Sequence, residues 1–159
     1  MVATLGEPAV GQTATPSNAE AGSAPRLAGF ARRQATGRGS YFTRADIDRV
    51  HPTSFVQFLR MVPSRVRIID QGGSLVAVSR RGHKAVWDPS VGRLQEMACV
   101  VRLMIDGTME SENTSLDDID PGGMAAVEIY DGSASIPPEL SSGARGLECG
   151  LIVVWTRAG

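Results

Sequence analysis

The chain has 159 residues, of which 42% are hydrophobic, and it carries a formal net charge of −1 with an isoelectric point near 6.1. This length fits one domain with one hydrophobic core, and the near-neutral charge gives no reason to expect nucleic acid, whose binding proteins usually carry a clustered basic face. No apolar run approaches the ~18 residues of a membrane-spanning helix, so we predict no transmembrane segment in this chain.

Residues 1–38 are dominated by Ala, Gly, Pro, Ser and Thr and show almost no periodic apolar pattern. Such a segment buries too little apolar surface to offset the entropy of ordering it, so we predict a flexible segment over 1–38 and a folded domain over 39–159. It lacks the basic start and apolar centre of a signal peptide. A local basic stretch admits two interpretations, a solvated face or a contact with an acidic surface: Arg32, Arg33, Arg38, Arg44 and Arg49.

Two short helices are predicted after residue 42. Thr43 and Asp46 have the spacing of a capping box, which favours a helix start at this point. Pro52 interrupts that helix, and a second one is expected to begin near Thr53 and to end before Pro63. Its apolar residues fall at helical spacing and should pack against a sheet: Phe55, Phe58, Leu59 and Val62.

From Arg65 onwards the apolar period changes to two, which indicates strands. The Gly72-Gly73 pair predicts a hairpin turn, and the strand after it leads into a basic cluster at residues 80–84. That cluster suits either a solvated loop or an acidic docking partner. Further strands are predicted at residues 100–105, 124–130 and 151–156. The last is apolar on both faces and should be central, because an exposed edge of that composition would aggregate.

The two cysteines each open a predicted strand. Neighbouring strands could bring Cys99 and Cys149 within bridging distance. In an oxidising periplasm they would form a disulfide, and closing a loop of about 50 residues would stabilise the fold by roughly 4 kcal/mol in the chain-entropy model. The alternative is a pair of buried free thiols. We expect no zinc site, because His51 and His83 lie in no short-spaced ligand pair.

Four motifs occur in an order that matches a known family. They are an opening strand before a helix, a strand ending in Arg-Gly, a strand ending in Asp-Gly, and a Glu-bearing strand before a turn: residues 41–43, 79–82, 103–107 and 127–133. Together with the final strand they cover roughly residues 39–157. This part of the chain resembles the plug domain of TonB-dependent outer-membrane receptors.

The resemblance implies an α+β fold, a small mixed β-sheet of about five strands with one or two short helices. In that family the plug lies inside a large β-barrel and gates uptake, with energy drawn from a periplasmic partner protein. Arg81 would carry the charge of the Arg-Gly motif, and Glu128 would anchor the domain internally through hydrogen bonds or a salt bridge. The residues implied as contacts are Arg80, Arg81, Gly82, Asp106, Gly107, Glu128 and Gly132.

The chain also departs from the family pattern. The turn that usually reads Arg-Gly-Pro is Asp131-Gly132-Ser133 here, and Val153 stands where the family commonly has Asn. The family's Arg faces carboxylates on the barrel wall, so we expect Asp131 to be repelled there. A barrel of about 22 strands does not fit in 159 residues, so we expect either a fragment or a free-standing plug-like module.

The sequence therefore predicts a non-catalytic plug-domain protein in the cell envelope, outer-membrane-associated or periplasmic. Its expected partner is an outer-membrane β-barrel, possibly a separate chain, or a TonB-type periplasmic protein, and it needs no cofactor or metal. The alternative is a soluble periplasmic or surface binding module that kept the plug fold without a barrel. Enzyme motifs are absent: Gly37-Arg38-Gly39 lacks the third glycine of a dinucleotide site, and no Gly-x-Ser-x-Gly occurs. A hydrolase would need a pocket joining His51 or His83 to an acid.

Overall fold

The computed structural model describes residues 18–157. Within this part the helices are α1 (Asn18–Thr36), α2 (Arg44–Val50), α3 (Phe55–Met61) and α4 (Pro138–Ser141). The strands are β1 (Ser40–Thr43), β2 (Val66–Gln71), β3 (Ser74–Asp88), β4 (Arg93–Val100), β5 (Arg102–Ile105), β6 (Thr108–Met109), β7 (Met124–Tyr130) and β8 (Leu151–Thr156).

A five-stranded mixed sheet forms the centre of the fold, with strand order β1-β7-β8-β5-β6. The final strand β8 pairs antiparallel with β7, where Val127 lies opposite Val154. On its other side β8 pairs parallel with β5, where Met104 lies opposite Val153. The α+β fold with a mixed sheet of five strands is confirmed, and β8 is central, as its apolar composition requires.

Helices cover both faces of this sheet, because successive side chains of a strand point to opposite faces. Ile152 and Val154 of β8 pack with α2 and α3, whereas Leu151, Val153 and Trp155 pack on the side of α1 and α4. Aromatic rings pack on both faces of the sheet in edge-to-face and stacked contacts. Phe42, Phe55 and Phe58 lie on the face of α2 and α3, and Phe30, Tyr41 and Tyr130 lie on the face of α1 and α4.

A second, three-stranded antiparallel sheet has the order β2-β3-β4. The hairpin predicted at Gly72 and Gly73 joins β2 to β3, and both glycines have positive φ. β3 then continues to Asp88 and forms a second, longer hairpin with β4, which the sequence did not predict. The Cys99–Cys149 disulfide joins the end of β4 to the residues before β8, with the two Cα atoms 5.3 Å apart. The alternative of two free thiols is therefore wrong.

The amino-terminal part differs from the predicted flexible segment over residues 1–38. Residues 18–36 form helix α1, and Phe30 and Arg33 of this helix are buried against the five-stranded sheet. The apolar pattern of α1 is weak, so its stability comes from tertiary contacts rather than from its own periodicity. Residues 1–17 lie outside the described part of the chain.

The two short helices begin and end close to the predicted positions. Thr43 and Asp46 form the reciprocal hydrogen bonds of a capping box at the start of α2. His51, before Pro52, ends α2 in the left-handed region with φ 45°, and Ser54 caps α3. Among residues 18–157, no helix is both long enough and apolar enough to cross a membrane.

Candidate functional site

Glu128 lies on β7 with its side chain fully buried between the central sheet and α1. Arg33 of α1 binds it in a bidentate manner: Nε donates to Oε2 at 2.9 Å and Nη2 donates to Oε1 at 2.6 Å. Trp155 Nε1 of β8 donates to Oε1 at 2.6 Å, and the Tyr130 hydroxyl donates to Oε2. Each carboxylate oxygen therefore accepts two hydrogen bonds, and three separate elements meet at this one side chain.

The charges in this cluster are internally balanced. The hydrogen bond to Glu128 raises the pKa of Arg33 above its ordinary value, so the guanidinium stays protonated. It also lies over the ring of Trp155, 5.5 Å from the centroid. Burial, followed by the hydrogen bond to Glu128, raises the pKa of Tyr130 far above its ordinary value and keeps the phenol neutral.

This arrangement can hold the fold together but offers no surface for catalysis or for an external contact. A general acid or base needs to reach a substrate, and Glu128 has no exposed surface and four donors already in place. Glu128 is therefore an internal anchor between α1, β7 and β8. The resemblance also implied that Glu128 is an external contact, but a fully buried side chain cannot contact another molecule.

A cleft of about 290 Å³ opens on the other side of β7, immediately after Glu128. Its charged centre is Asp131, whose Oδ2 lies 3.1 Å from Arg81 Nε and 3.8 Å from Arg65 Nη1. The Ser79 hydroxyl donates to Asp131 Oδ1 at 3.4 Å. The residues that line the cleft are Gly37, Arg38, Gly39, Ser40, Arg65, Arg81, Ile129, Asp131 and Ser135. We call this the arginine cleft.

A bulge in β3 places Arg81 at the arginine cleft. Between Val78 and His83 the register with β4 shifts, so that residues 79–82 lie opposite the single residue Cys99. Within the bulge the Ser79 hydroxyl accepts a hydrogen bond from the Arg81 backbone N–H at 3.2 Å. A bulge changes the direction of a strand and its side chains, which here turns Arg81 towards the end of β7. The Arg-Gly motif therefore occupies an irregular part of β3.

The backbone around the cleft requires glycine at two positions. Gly150, directly before β8, has φ 120°, and a Cβ there would collide with the carbonyl oxygen of Tyr130. Gly132 has φ 96° and begins the tight turn after Asp131, which Ser135 closes by donating to the Gly132 carbonyl oxygen at 2.8 Å. Close approach of these two segments packs the turn after Asp131 against the residue that precedes β8, while Ser79 and Arg81 of the bulge contact Asp131 itself.

The Asp-Gly motif lies at the opposite end of β8 from the arginine cleft. Asp106 Oδ1 accepts a hydrogen bond from the Thr156 backbone N–H at 2.9 Å, and the Thr156 hydroxyl donates to Oδ2. Gly107, with φ 87°, then turns the chain from β5 into β6. The structure thus groups Arg81 and Gly132 at one end of the sheet and Asp106 and Gly107 at the other.

No family model and no curated protein sequence matches this chain. The geometry of the described residues therefore carries the functional argument. Within residues 18–157, no group of three His, Cys, Asp or Glu side chains is placed to hold a metal ion.

Several residues of both clusters were not predicted as functional. Arg33 was assigned to a solvated or acidic-surface contact, but it is buried beside Glu128. Trp155 and Tyr130 were expected only as residues of predicted strands, and Arg65 only as the start of one. The other arginines of the basic stretch lie nearer the surface. Arg32 and Arg49 are exposed and pair with Glu139 and Asp46, Arg44 is partly buried and binds Asp48 and two backbone carbonyl groups, and Arg38 lines the arginine cleft. No local pattern marks Glu128 or Glu139 as a partner, because each lies about a hundred residues from its arginine, whereas the pairs of Arg44 and Arg49 have ordinary helical spacing.

Proposed function

We propose that this chain is a plug-domain protein of the TonB-dependent receptor family, which gates or contacts an outer-membrane uptake system without catalysis. The supporting observation is the pairing of its final strand. β8 lies between the strand that ends in Asp106-Gly107 and the strand that carries Glu128, and these are the motifs on which the resemblance rests. The two motif strands, which are separate in the sequence, are therefore both neighbours of the final strand in the sheet.

The charge of the arginine cleft supports contact with an acidic surface such as the wall of a barrel lumen. Arg38, Arg65 and Arg81 line the cleft, and Asp131 is the carboxylate among the lining residues. The turn that carries an Arg in the family carries Asp131 here, yet two neighbouring segments supply cations around it. Asp131 forms ion pairs inside the chain, and these offset the repulsion that we expected between Asp131 and acidic groups of a barrel wall. The cleft as a whole keeps an excess of positive charge.

A measurement of ion conductance tests the gate. The barrel of a TonB-dependent receptor lacking its own plug forms an open pore in a planar lipid bilayer, and the purified chain is added to one side. We expect the current to fall as the chain enters, and the Arg65→Glu/Arg81→Glu variant to block less at equal concentration. The matched control is Arg67→Glu/Arg145→Glu, which makes the same charge change outside the cleft and should block like the wild type.

The outcome that rejects the gate is equally specific. If neither the current falls nor the chain sediments with barrel-containing vesicles, for several barrels of the family, the chain is not a gate. Equal loss of block by the cleft variant and its control would reject the arginine cleft as the contact.

A second candidate is a soluble binding module of the envelope that kept the plug fold without a barrel. The ion pairs of Asp131 with Arg81 and Arg65 favour it, because the fold itself supplies cations beside this carboxylate. Fractionation of cells that produce the chain in the periplasm separates the two candidates. Recovery in the soluble periplasmic fraction, with no effect on conductance, supports the second candidate, whereas recovery with barrels in the outer-membrane fraction supports the first.

A further inference from the structure

The hairpin formed by the part of β3 beyond the bulge and by β4 exposes an unusual amount of apolar surface. We call residues 83–98 the distal hairpin. Among the described residues, five of the six exposed large hydrophobic side chains belong to it, the sixth being Met61: Val86, Trp87, Val91, Leu94 and Met97. Trp87 is 58% exposed and Leu94 63% exposed. Concentration of exposed apolar groups in one place marks an interaction surface rather than ordinary surface composition.

These side chains lie on both faces of the distal hairpin. Trp87 and Leu94 are directly opposite each other across the two strands, so they share one face. Val86 and Met97 belong to alternate positions and therefore point to the other face. A partner with a flat surface would cover one face and leave the other in water. A medium that surrounds the hairpin, such as the interfacial region of a lipid bilayer, covers both faces together.

Four basic or titratable cationic residues lie in β3 at the base of the distal hairpin. The bulge carries Arg80 and Arg81, and His83 and Lys84 follow on alternate faces of β3. Residues 80–98 contain four Lys or Arg and two Asp or Glu, a net charge of +2 in a chain whose net charge is −1. Cations at the base of the hairpin can contact lipid phosphates while the apolar side chains nearer its tip lie deeper in the bilayer.

The hairpin carries two acidic residues, of which Glu96 is exposed opposite Ala85 and Asp88 lies beside the turn. Asp88 is engaged within the hairpin: its Oδ1 accepts from the Ser90 backbone N–H at 2.9 Å and its Oδ2 accepts from Gln95 Nε2 at 2.9 Å. It also lies opposite Arg93 in the register. Asp88 and Arg93 lie nearer the tip than Trp87 and Leu94, so they enter the interface with them, and local hydrogen bonds and the opposite charge lower the cost of removing Asp88 from water.

We infer that the distal hairpin inserts into the interface of an anionic lipid bilayer. Trp87, Val91 and Leu94 then lie at the boundary between headgroups and acyl chains, and the basic residues at the base of the hairpin lie among the phosphates. Trp is favoured at this depth because its ring is apolar and its N–H is polar. This inference does not depend on the proposed gate, since the inserted side chains lie outside the arginine cleft.

The chain supplies its own reporter for a test. It has two tryptophans, of which Trp155 is buried and bonded to Glu128 while Trp87 is exposed. The fluorescence of Trp87, obtained as the difference between the wild type and Trp87→Phe, is followed as vesicles of mixed phosphatidylglycerol and phosphatidylcholine are added. We expect a shift to shorter wavelength and quenching by lipids brominated on the acyl chain.

Binding is then measured by sedimentation with the same vesicles. We expect Trp87→Ser/Leu94→Ser to bind at least about tenfold more weakly than the wild type, because two large apolar side chains no longer leave water. The matched control is Met61→Ser, which removes an exposed apolar side chain elsewhere and should bind like the wild type. Lys84→Glu should weaken binding more than Arg145→Glu, and added salt should weaken wild-type binding.

Three results would overturn the inference. The first is absence of binding to anionic vesicles at millimolar lipid. The second is equal binding to vesicles of phosphatidylcholine alone, which would leave the basic residues without a role. The third is a lipid-independent dimer, detected by sedimentation equilibrium and abolished by Leu94→Ser, because the occupant of the hairpin would then be a second copy of the chain.

Discussion

Arg33 and Glu128, 95 residues apart in the chain, form a bidentate ion pair in which Nε and Nη2 donate to different oxygens of the carboxylate. Both side chains are removed from water, at 6% and 0% exposure. This pair fastens α1 to the middle of the central sheet. A buried ion pair contributes little net stability by itself, but loss of one partner leaves the other charge buried and unpaired.

Replacing the buried carboxylate should therefore destabilise the protein strongly. We expect Glu128→Gln to lower the free energy of unfolding by about 3–5 kcal/mol, since the Arg33 guanidinium loses its counter-charge. The control is Glu112→Gln, which removes the exposed partner of Arg102 away from Arg33 and should cost less than about 1 kcal/mol. Urea unfolding followed by circular dichroism measures both. Similar small losses in the two variants would contradict an anchoring role for Glu128.

The shifted pKa of Tyr130 predicts a loss of stability in alkali. The folded state holds this phenol neutral because burial and the bond to Glu128 raise its pKa. The contribution is complete below the unfolded-state pKa of about 10 and is lost as pH rises above it, because only the unfolded state then releases the proton. The decline approaches about 1.4 kcal/mol per pH unit for this one group.

The variant Tyr130→Phe isolates this effect. It should be less stable than the wild type near neutral pH, because Glu128 loses a donor, yet its stability should fall less steeply between about pH 10 and about pH 11. The measurement is the free energy of unfolding of both proteins against pH. Parallel curves would show that Tyr130 does not titrate differently in the two states.

The strand pattern was predictable because it depends on nearest neighbours in the sequence. The apolar run from Leu151 to Trp155 indicated a central strand, and the positions of Cys99 and Cys149 indicated a bridge between strands. The cap at Thr43 is equally local, since its two partners are three residues apart. Local patterns of this kind can be recognised in a single sequence.

Helix α1 and strand β4 were missed for the opposite reason. α1 is held by Phe30 and Arg33 against residues about a hundred positions away, and nothing near Arg33 distinguishes it from a solvated arginine. β4 carries exposed apolar and polar residues without alternation, so its strand form depends on pairing with β3. Arg65 and Arg81 likewise meet at Asp131 only because a bulge turns β3.

Gly150 should be intolerant of any side chain. Its φ of 120° is disfavoured for other residues, and a Cβ would collide with the Tyr130 carbonyl oxygen, so we expect Gly150→Ala to cost at least about 3 kcal/mol. Gly143→Ala is the control, because Gly143 also has a positive φ of 76° but has open space around it. Its cost should be about 1 kcal/mol from backbone strain alone. Equal losses in thermal or urea unfolding would show that the close approach at Gly150 is absent.

The disulfide should be present in the protein produced in an oxidising compartment. Mass measurement after denaturation and alkylation should show no labelled cysteine without a reductant and two labelled cysteines with one. The Cys99→Ser/Cys149→Ser variant should be less stable by about 4 kcal/mol, because 50 residues separate the bonded positions. Two labelled thiols in the unreduced protein would contradict the bridge.

The central claim is that β8 joins the Asp-Gly strand and the Glu128 strand into one sheet. Backbone nuclear Overhauser effects in the isotope-labelled protein test it most directly. We expect contacts from β8 to β5 in a parallel register, with Met104 beside Val153, and to β7 in an antiparallel register, with Val127 beside Val154. Contacts from β8 to one neighbour alone, or amides of β8 that exchange with solvent as quickly as those of the distal hairpin, would contradict the claim.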